Sequence, residues 1–333
     1  MSDSPPVLVP HLMTRQKSAG RAAAVGNALS DRLPDMHLRV AESHEESLEL
    51  ARTAEIVVCK GVTPELLDAA EKLRWIQALS SGLDRFTTDK YGYEPPGVDR
   101  LQEEGIVLTN LAGVSAEPMA EQAFGFMLAF ARNLHVAARQ QFDRKWGGYG
   151  VHGELEGSTL GIVGVGSVGT RAAELGSAFD MTVLGIKRDL EDVPDAVEEI
   201  YPPDELASVL ERADYLLLSC PLTDETSGMI GAEEFEIMRE DAVLVNVARG
   251  GILVEADLVA ALETGEIRGA GLDVFAEEPL PEDSPLWDLP NVVLTPHNSG
   301  GSPRGDERMA DLFAANYERY LEGDVDSFEN RIV

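Results

Sequence analysis

Three polar side chains each follow an apolar run in the second half of the chain: Arg249 in NVARGG, Glu278 in LDVFAEEP and His297 in TPHNSGG. In open sheets of parallel strands, ligands sit beyond the carboxyl ends of the strands, so residues placed this way can converge on one site. Their chemistries are complementary. An imidazole titrates near neutrality and can give or take a proton. A carboxylate beside it favours the imidazolium and orients the ring. A guanidinium holds a planar carboxylate through two parallel N–H bonds. With a hydride donor added, such a set suits reduction of a carbonyl that stands next to a carboxylate. Each residue alone has a plainer reading: a structural His after a Pro, a solvated Glu277-Glu278 loop, and an Arg that ties down a helix end.

A segment upstream supplies the hydride donor. Leu160 to Val163 form an apolar strand that runs into Gly164-Val165-Gly166-Ser167-Val168-Gly169 and then a helical stretch, TRAAELGSAF. In that context Gly164 permits a tight turn, Gly166 lets backbone approach a pyrophosphate, and Gly169 lets the helix pack on the strand. The free N–H groups of Ser167 and Val168 face the phosphates. The next strand, MTVLGIKRDL, ends in Lys187 and Arg188 where an acid commonly binds the ribose of NAD. Two cations there suit the 2′-phosphate of NADP(H), the preferred cofactor; Asp189 is close enough to reach a ribose, so NAD(H) stays possible.

Positioning these residues requires parallel strands. Val7 to Val9, His37 to Ala41, Ile56 to Cys59, Trp75 to Leu79 and Ile106 to Thr109 read as strands in the first third, with helical patterns such as SAGRAAAVGNALSDRL between several of them. This is the rhythm of a parallel α/β sheet. A long helix is expected over about 116–144, with Ser115 as its N-cap and Pro118 in its first turns. Phe124 to Phe130 are apolar nearly all round, so another domain or another subunit must cover them; a homodimer is the sharper expectation. From Ser158 onward six buried strands follow: GSTLGIVGVG, MTVLGI, DYLLLSC, AVLVNVA, GAGLDVF and NVVLTPH. The tail from Gly301 reads as one amphipathic helix.

Charge narrows the setting. Asp and Glu number 59 against 27 Lys and Arg, a formal net charge of −32, and the acids are dispersed rather than gathered in a tail. Lysine is confined to Lys17, Lys60, Lys72, Lys90, Lys145 and Lys187. Such a chain repels itself in dilute salt, and counter-ions relieve the repulsion, which points to the cytoplasm of a high-salt organism. Nucleic-acid binding is not expected without a concentrated basic patch. Neither a signal peptide nor an apolar run long enough to span a bilayer is evident, so no membrane partner is expected. Cys59 and Cys220 read as buried free thiols, and their spacing suggests no metal site.

Taken in order, GVGSVG, CPLTDETSGMI, NVARGGILVEADLVAALETGEIRGAGLDVFAEEPLP and NVVLTPHNSGG resemble the D-isomer-specific 2-hydroxyacid dehydrogenase family, over nearly the whole chain and most closely from Gly157 to Gly301. The resemblance implies two doubly wound parallel-sheet α/β domains: a Rossmann-type cofactor domain at 110–299, inserted into a smaller flavodoxin-like substrate domain at 1–109 plus 300–333, with the active-site cleft between them. It implies that Arg249 binds the substrate carboxylate and carbonyl, that Glu278 pairs with His297, and that His297 is the acid and base. Asp273 matches the residue that holds the nicotinamide carboxamide. Cys220, Pro221 and Thr226 lie along the adenosine half, and Val247, Ala248 and Gly300 complete the cofactor set. In ALSSGLDRF, Ser81 and Gly82 offer backbone N–H groups to the substrate carboxylate and Leu83 meets its side chain; Lys60 lies near a further substrate contact. Departures are the Lys187-Arg188 pair and Ala112-Gly113 where the family has Pro-Gly. Glu278 argues against formate chemistry, for which relatives carry Gln. The expected function is reversible reduction of a small 2-keto acid to its D-2-hydroxy acid. Alternatives are a dedicated glyoxylate or hydroxypyruvate reductase and, from another class, a nicotinamide-sensing corepressor.

Overall fold

Short apolar runs flanked by amphipathic helices become parallel strands when helices cover both faces of the sheet. The computed structural model describes residues 4–11, 18–88, 93–148, 150 and 152–333. In the first third, β1 (Val7–Val9), α1 (Ser18–Arg32), β2 (Leu38–Val40), α2 (His44–Ala51), β3 (Ile56–Cys59), α3 (Pro64–Ala69), β4 (Trp75–Ala78), α4 (Asp84–Thr87), α5 (Val98–Glu103) and β5 (Val107–Thr109) follow one another. The five strands are all parallel and lie in the order β2-β1-β3-β4-β5, the flavodoxin-like arrangement. Ser43 and Thr63 cap α2 and α3 by accepting the N–H groups of Glu46 and Leu66.

The middle of the chain builds a second sheet. Its elements are α6 (Ala116–Ala131), α7 (Leu134–Phe142), β6 (Thr159–Val163), α8 (Ser167–Ala178), β7 (Thr182–Ile186), β8 (Glu199–Tyr201), α9 (Leu206–Leu210), β9 (Tyr215–Leu218), α10 (Ala232–Ile237), β10 (Val243–Asn246), α11 (Glu255–Thr264), β11 (Gly269–Leu272) and β12 (Val292–Leu294). Seven parallel strands stand in the order β12-β11-β10-β9-β6-β7-β8. This is the doubly wound dinucleotide-binding order extended by one strand. The addition to the six expected strands is β8, whose Glu199-Ile200-Tyr201 is polar and only partly buried at the sheet edge. An edge strand needs no continuous apolar run, so periodicity alone passes over it.

The long helix expected over 116–144 is two helices. Asn133 adopts left-handed φ 52°, ψ 32° between α6 and α7 and ends the first rod. Asparagine tolerates that conformation better than most residues. The apolar girth of α6 is met within its own unit, by β11 and by α8, where Phe124 stacks on Phe179 at 5.4 Å. Phe126 and Phe130 lie so close to β11 that a Cβ on Gly271 or Gly269 would fall 2.6 Å or 2.5 Å from their rings. Core packing therefore explains these phenylalanines without a second subunit.

The last helix, α12 (Gly305–Glu322), returns to the first sheet. Its Phe313 stacks on the fully buried Trp75 at 5.0 Å and 9°, and Trp75 donates its indole N–H to Thr109 at 2.8 Å. The chain thus divides into two compact units, Met1–Val114 with Ser302–Val333, and Ser115–Gly301. The first crossing comes after β5 because Asn110 to Val114 remain tied to the first unit. Leu111 donates to the Ser80 carbonyl at 3.0 Å, and Asn330 donates its amide to Ala112 at 2.8 Å. Among the described residues no helix is long and apolar enough to cross a membrane.

Candidate active site

Strand register places the candidate residues of the second unit along one line. Ile186, Val163, Leu218, Asn246, Leu272 and Leu294 are the last residues of β7, β6, β9, β10, β11 and β12, and they pair with one another in a single row across the sheet. Lys187, Gly164, Val247, Asp273 and Thr295 each follow such a strand end directly. Adjacent strands lie about 4.8 Å apart, so loops from β10, β11 and β12 share a patch roughly 10 Å wide.

Between β6 and β9 the strand order reverses, and here the glycine loop is tightest. Gly164 has φ +98°, and a Cβ on it would stand 2.5 Å from the Cys220 nitrogen. A Cβ on Gly169 would stand 2.3 Å from the Gly164 carbonyl oxygen, so α8 presses directly on the turn. Gly166 differs: a Cβ there meets nothing within 4 Å. Its open face sits at the start of α8, whose first helical bond is from Thr170 to Gly166, leaving Ser167, Val168 and Gly169 as N–H donors without helical partners. Two glycines are closed by packing and one is left clear beside free donors, which fits a pyrophosphate. Burial pushes the Cys220 thiol up to about 11 and that of Cys59 to about 12, so both stay protonated and inert. Around this loop, Lys187 donates to the Asp192 carbonyl, and the Arg188 guanidinium stands 3.7 Å from Glu225. Thr226 donates to the Pro221 carbonyl at 2.7 Å and accepts from Thr223, which closes the turn after β9.

At the end of β10 the fully buried Asn246 organises the next loop. Its amide donates to the Arg249 carbonyl at 3.0 Å and its oxygen accepts the Ala248 N–H at 3.0 Å. Val247 and Ala248 are buried by this turn. Gly250 has no room for a side chain, because a Cβ would fall 1.9 Å from the Phe275 carbonyl carbon. The Arg249 loop therefore lies flush against the segment that leads to Glu278.

Asp273 is fully buried and its carboxylate is engaged three times. It accepts from the Thr295 hydroxyl at 2.5 Å, the Asn298 N–H at 3.0 Å and the Ser299 N–H at 2.9 Å. The turn so fixed carries His297 in the left-handed region at φ 48°, held by its own N–H to the Asp273 carbonyl at 2.8 Å. A bulky residue there is strained, and the surrounding bonds must over-determine it. His297 Nδ1 meets Glu278 Oε2 at 2.7 Å, and the other Glu278 oxygen accepts the Phe275 N–H at 3.1 Å. Because a carboxylate only accepts, Nδ1 carries the proton and Nε2 is the nitrogen available for chemistry. The hydrogen bond to Glu278 holds His297 above the usual imidazole range, against partial burial and the charge of Arg249. A cavity of about 560 Å³ opens beside the pair, walled by Phe275, Glu278, Pro279, Leu280, Trp287, Leu294, Thr295, Pro296 and His297.

Residues 124–299 match the profile of the D-isomer specific 2-hydroxyacid dehydrogenase, NAD binding domain. The chain belongs to this family of NAD(P)-dependent oxidoreductases. A glyoxylate reductase of Korarchaeum cryptofilum is 37% identical over 276 residues, which cover 79% of this chain and 78% of that one. A D-3-phosphoglycerate dehydrogenase of Methanocaldococcus jannaschii is 34% identical over 84% of the chain, which spans only 52% of that protein. Among solved structures, an NADPH-dependent glyoxylate/hydroxypyruvate reductase of Sinorhizobium meliloti, in complex with NADP and sulfate, superposes with a TM-score of 0.81 at 25% identity, covering 98% of both chains.

Lys187, Gly164, Val247, Asp273 and Thr295 thus share one edge of one sheet, while Gly300 lies against Ser115. Lys60 and the Ser81–Leu83 loop belong to the first unit and follow β3 and β4 there. Ser81 donates to the Leu111 carbonyl at 3.0 Å, Ser80 donates to Gly82 at 2.8 Å, and Leu83 packs partly buried against the core. Burial lowers the Lys60 pKa, with the charges of Arg85 and Arg21 adding to the effect. Sequence reading gave no role to Asn246, Gly250 or Thr295. The signal was present: Asn246 ends one apolar strand and Thr295 directly follows another, in the NVARGG and TPH segments. Among the described residues no cluster of three His, Cys, Asp or Glu side chains is arranged to hold a metal ion.

Proposed function

We propose that the chain reduces a small 2-keto acid to its D-2-hydroxy acid with NADP(H), reversibly, with His297 as the acid and base. The observation that carries this is the His297–Glu278 pair at 2.7 Å on a turn built around Asp273, along the strand-end row that also bears the glycine loop. The second unit is the cofactor domain and the first the substrate domain. Gly166 and the N–H groups of Ser167 and Val168 hold the pyrophosphate, and Lys187 and Arg188 take the 2′-phosphate. Gly164 and Gly169 shape that loop, while Cys220, Pro221, Thr226, Val247, Ala248, Asp273 and Gly300 line the rest. When bound, the reduced nicotinamide supplies a hydride to the keto carbon.

The remaining work falls to this chain's own side chains. His297 Nε2 gives its proton to the carbonyl oxygen, and Glu278 keeps the ring charged and aimed. Arg249 holds the carboxylate in a bidentate grip, helped by backbone N–H groups at Ser81 and Gly82. Leu83 and Lys60 complete the substrate side. Relatives named for glyoxylate reduction support a small keto acid, and the Sinorhizobium relative's complex supports NADP. A homodimer forms part of the proposal, since Phe142 and Trp146 stand exposed on and after α7. So does a cytoplasmic, high-salt setting, supported by the net charge of −32.

The test is consumption of NADPH and NADH with a panel of 2-keto acids in molar KCl, with chiral analysis of the product. Oxidation of NADPH ahead of NADH and a D product are expected, and replacing both Lys187 and Arg188 by Ser is expected to reverse the cofactor order. An L product, or a folded protein that binds NADPH and turns over no keto acid, contradicts the proposal.

A further inference from the structure

From the cavity beside the His297–Glu278 pair we infer that the preferred substrates are 2-keto acids with a branched or extended apolar substituent, which the cavity takes up. The inference rests on the keto-acid reading above and adds the substrate class. His297 and Glu278 form part of the cavity wall, so whatever fills it lies beside that pair. Apart from Thr295 the rest of the wall is carbon, including Leu280, Leu294, Pro279, Pro296 and the indole of Trp287. That ring is fixed by its N–H, which donates to the Pro281 carbonyl at 2.8 Å, although half of the residue is exposed. A volume near 560 Å³ is within the range of small-ligand sites and far exceeds what the hydrogen of glyoxylate or the methyl of pyruvate fills.

Charge argues in the same direction. From Gly269 to Pro303 the chain has no Lys or Arg, and the loop that forms this wall carries Glu277, Glu282, Asp283 and Asp288. A second carboxylate or a phosphate on the substrate would lose its hydration there and meet Glu278 with no Lys or Arg in the wall. On the keto-acid reading, in which Arg249 holds the one carboxylate, this wall suits a hydrocarbon tail.

The experiment compares kcat/KM for pyruvate, 4-methyl-2-oxopentanoate and oxaloacetate with NADPH, in the parent and in Leu280→Trp and Trp287→Ala, with the mass in solution measured for each. Each buried methylene is worth about fourfold, so the three extra carbons of 4-methyl-2-oxopentanoate give it roughly a fifty-fold advantage over pyruvate. Oxaloacetate is expected to rank below pyruvate. Leu280→Trp, which fills the cavity, is expected to reduce the advantage at least tenfold, and Trp287→Ala, which removes one wall, to reduce it also. Equal use of the three acids by the parent, or oxaloacetate ahead, overturns the inference while leaving the reductase intact. A lower mass for Leu280→Trp with an unchanged substrate ranking marks the cavity as a seat for a second copy of the chain and overturns it too. No turnover of any keto acid removes the reductase reading itself, and this inference with it.

Discussion

Replacing Asp273 by Asn keeps the shape of the side chain, removes its charge and turns one acceptor oxygen into an NH2 donor, which tests what the carboxylate does. Its oxygens accept from Thr295, Asn298 and Ser299 at 2.5, 3.0 and 2.9 Å, all inside the fold. With the amide oxygen toward Thr295 and Asn298, the new NH2 group faces the Ser299 N–H, donor against donor. Flipping the amide moves the conflict to Asn298. Either way one charge-assisted bond is lost, about 1.5–3 kcal/mol, and one buried N–H is left unsatisfied, about 1–3 kcal/mol more. A loss of roughly 3–5 kcal/mol lowers the melting temperature of a unit this size on the order of 10 °C. The assay is thermal unfolding followed by circular dichroism without cofactor, so that no change in cofactor affinity enters. The same turn holds His297 at its positive φ, and a displacement of about 1 Å in its ring is expected to cost kcat on the order of a hundredfold. A melting temperature within about 2 °C of the parent would refute the reasoning, because the carboxylate would then not be what fixes the turn.

Glu278→Gln removes the acceptor charge that favours the imidazolium of His297. Keto-acid reduction needs the charged ring, so the parent's rate is full at low pH and falls as pH rises through the raised pKa. In the variant that fall is expected at lower pH, while oxidation of the hydroxy acid, which needs the neutral ring, keeps its rate further toward acid. The stability contributed by the pair has the same sign, being present below the ring's unfolded pKa and lost as pH rises through its folded one; superimposable pH profiles would exclude this role for Glu278. The glycine loop separates into two effects. Gly164→Ala combines a positive φ with a contact 2.5 Å from backbone and is expected to destabilise by about 3 kcal/mol or more. Gly166→Ala meets nothing within 4 Å, so unfolding should shift by less than about 1 kcal/mol while NADPH affinity, read by fluorescence titration, drops at least tenfold. Equal effects of the two on stability would mean that Gly166 is also structural.

Much of this was legible in the sequence because the chemistry stands at strand ends. Apolar runs such as Ile56–Cys59 and Val243–Asn246 announce buried strands, and their parallel pairing puts whatever follows them on one edge. His297, Glu278, Arg249 and the glycine loop could be named without coordinates for that reason. Register is what sequence withholds: nothing in NVARGG or TPHNSGG states that Asn246, Leu272 and Leu294 pair in one row. The same holds for contacts made by absent atoms, since only packing shows that a Cβ on Gly250 would meet the Phe275 backbone. The long helix failed at Asn133 because helical periodicity runs through Arg132–Leu134 while the backbone turns left-handed. The apolar face of α6 suggested a partner, but Gly269 and Gly271 bring β11 close enough to cover it. β8 was passed over because an edge strand of acid, isoleucine and tyrosine carries no burial pattern.

The most direct test of proton transfer by His297 is a single-turnover measurement with His297→Asn. NADPH and a 2-keto acid are mixed with excess enzyme, nicotinamide absorbance is followed, and cofactor affinity is measured separately. The expected result is NADPH binding close to that of the parent, with hydride transfer slowed by 10²–10⁴-fold at neutral pH, the range for loss of a general acid. Hydride transfer at the parent's rate in a variant that binds NADPH normally would contradict the assignment of His297 as the acid.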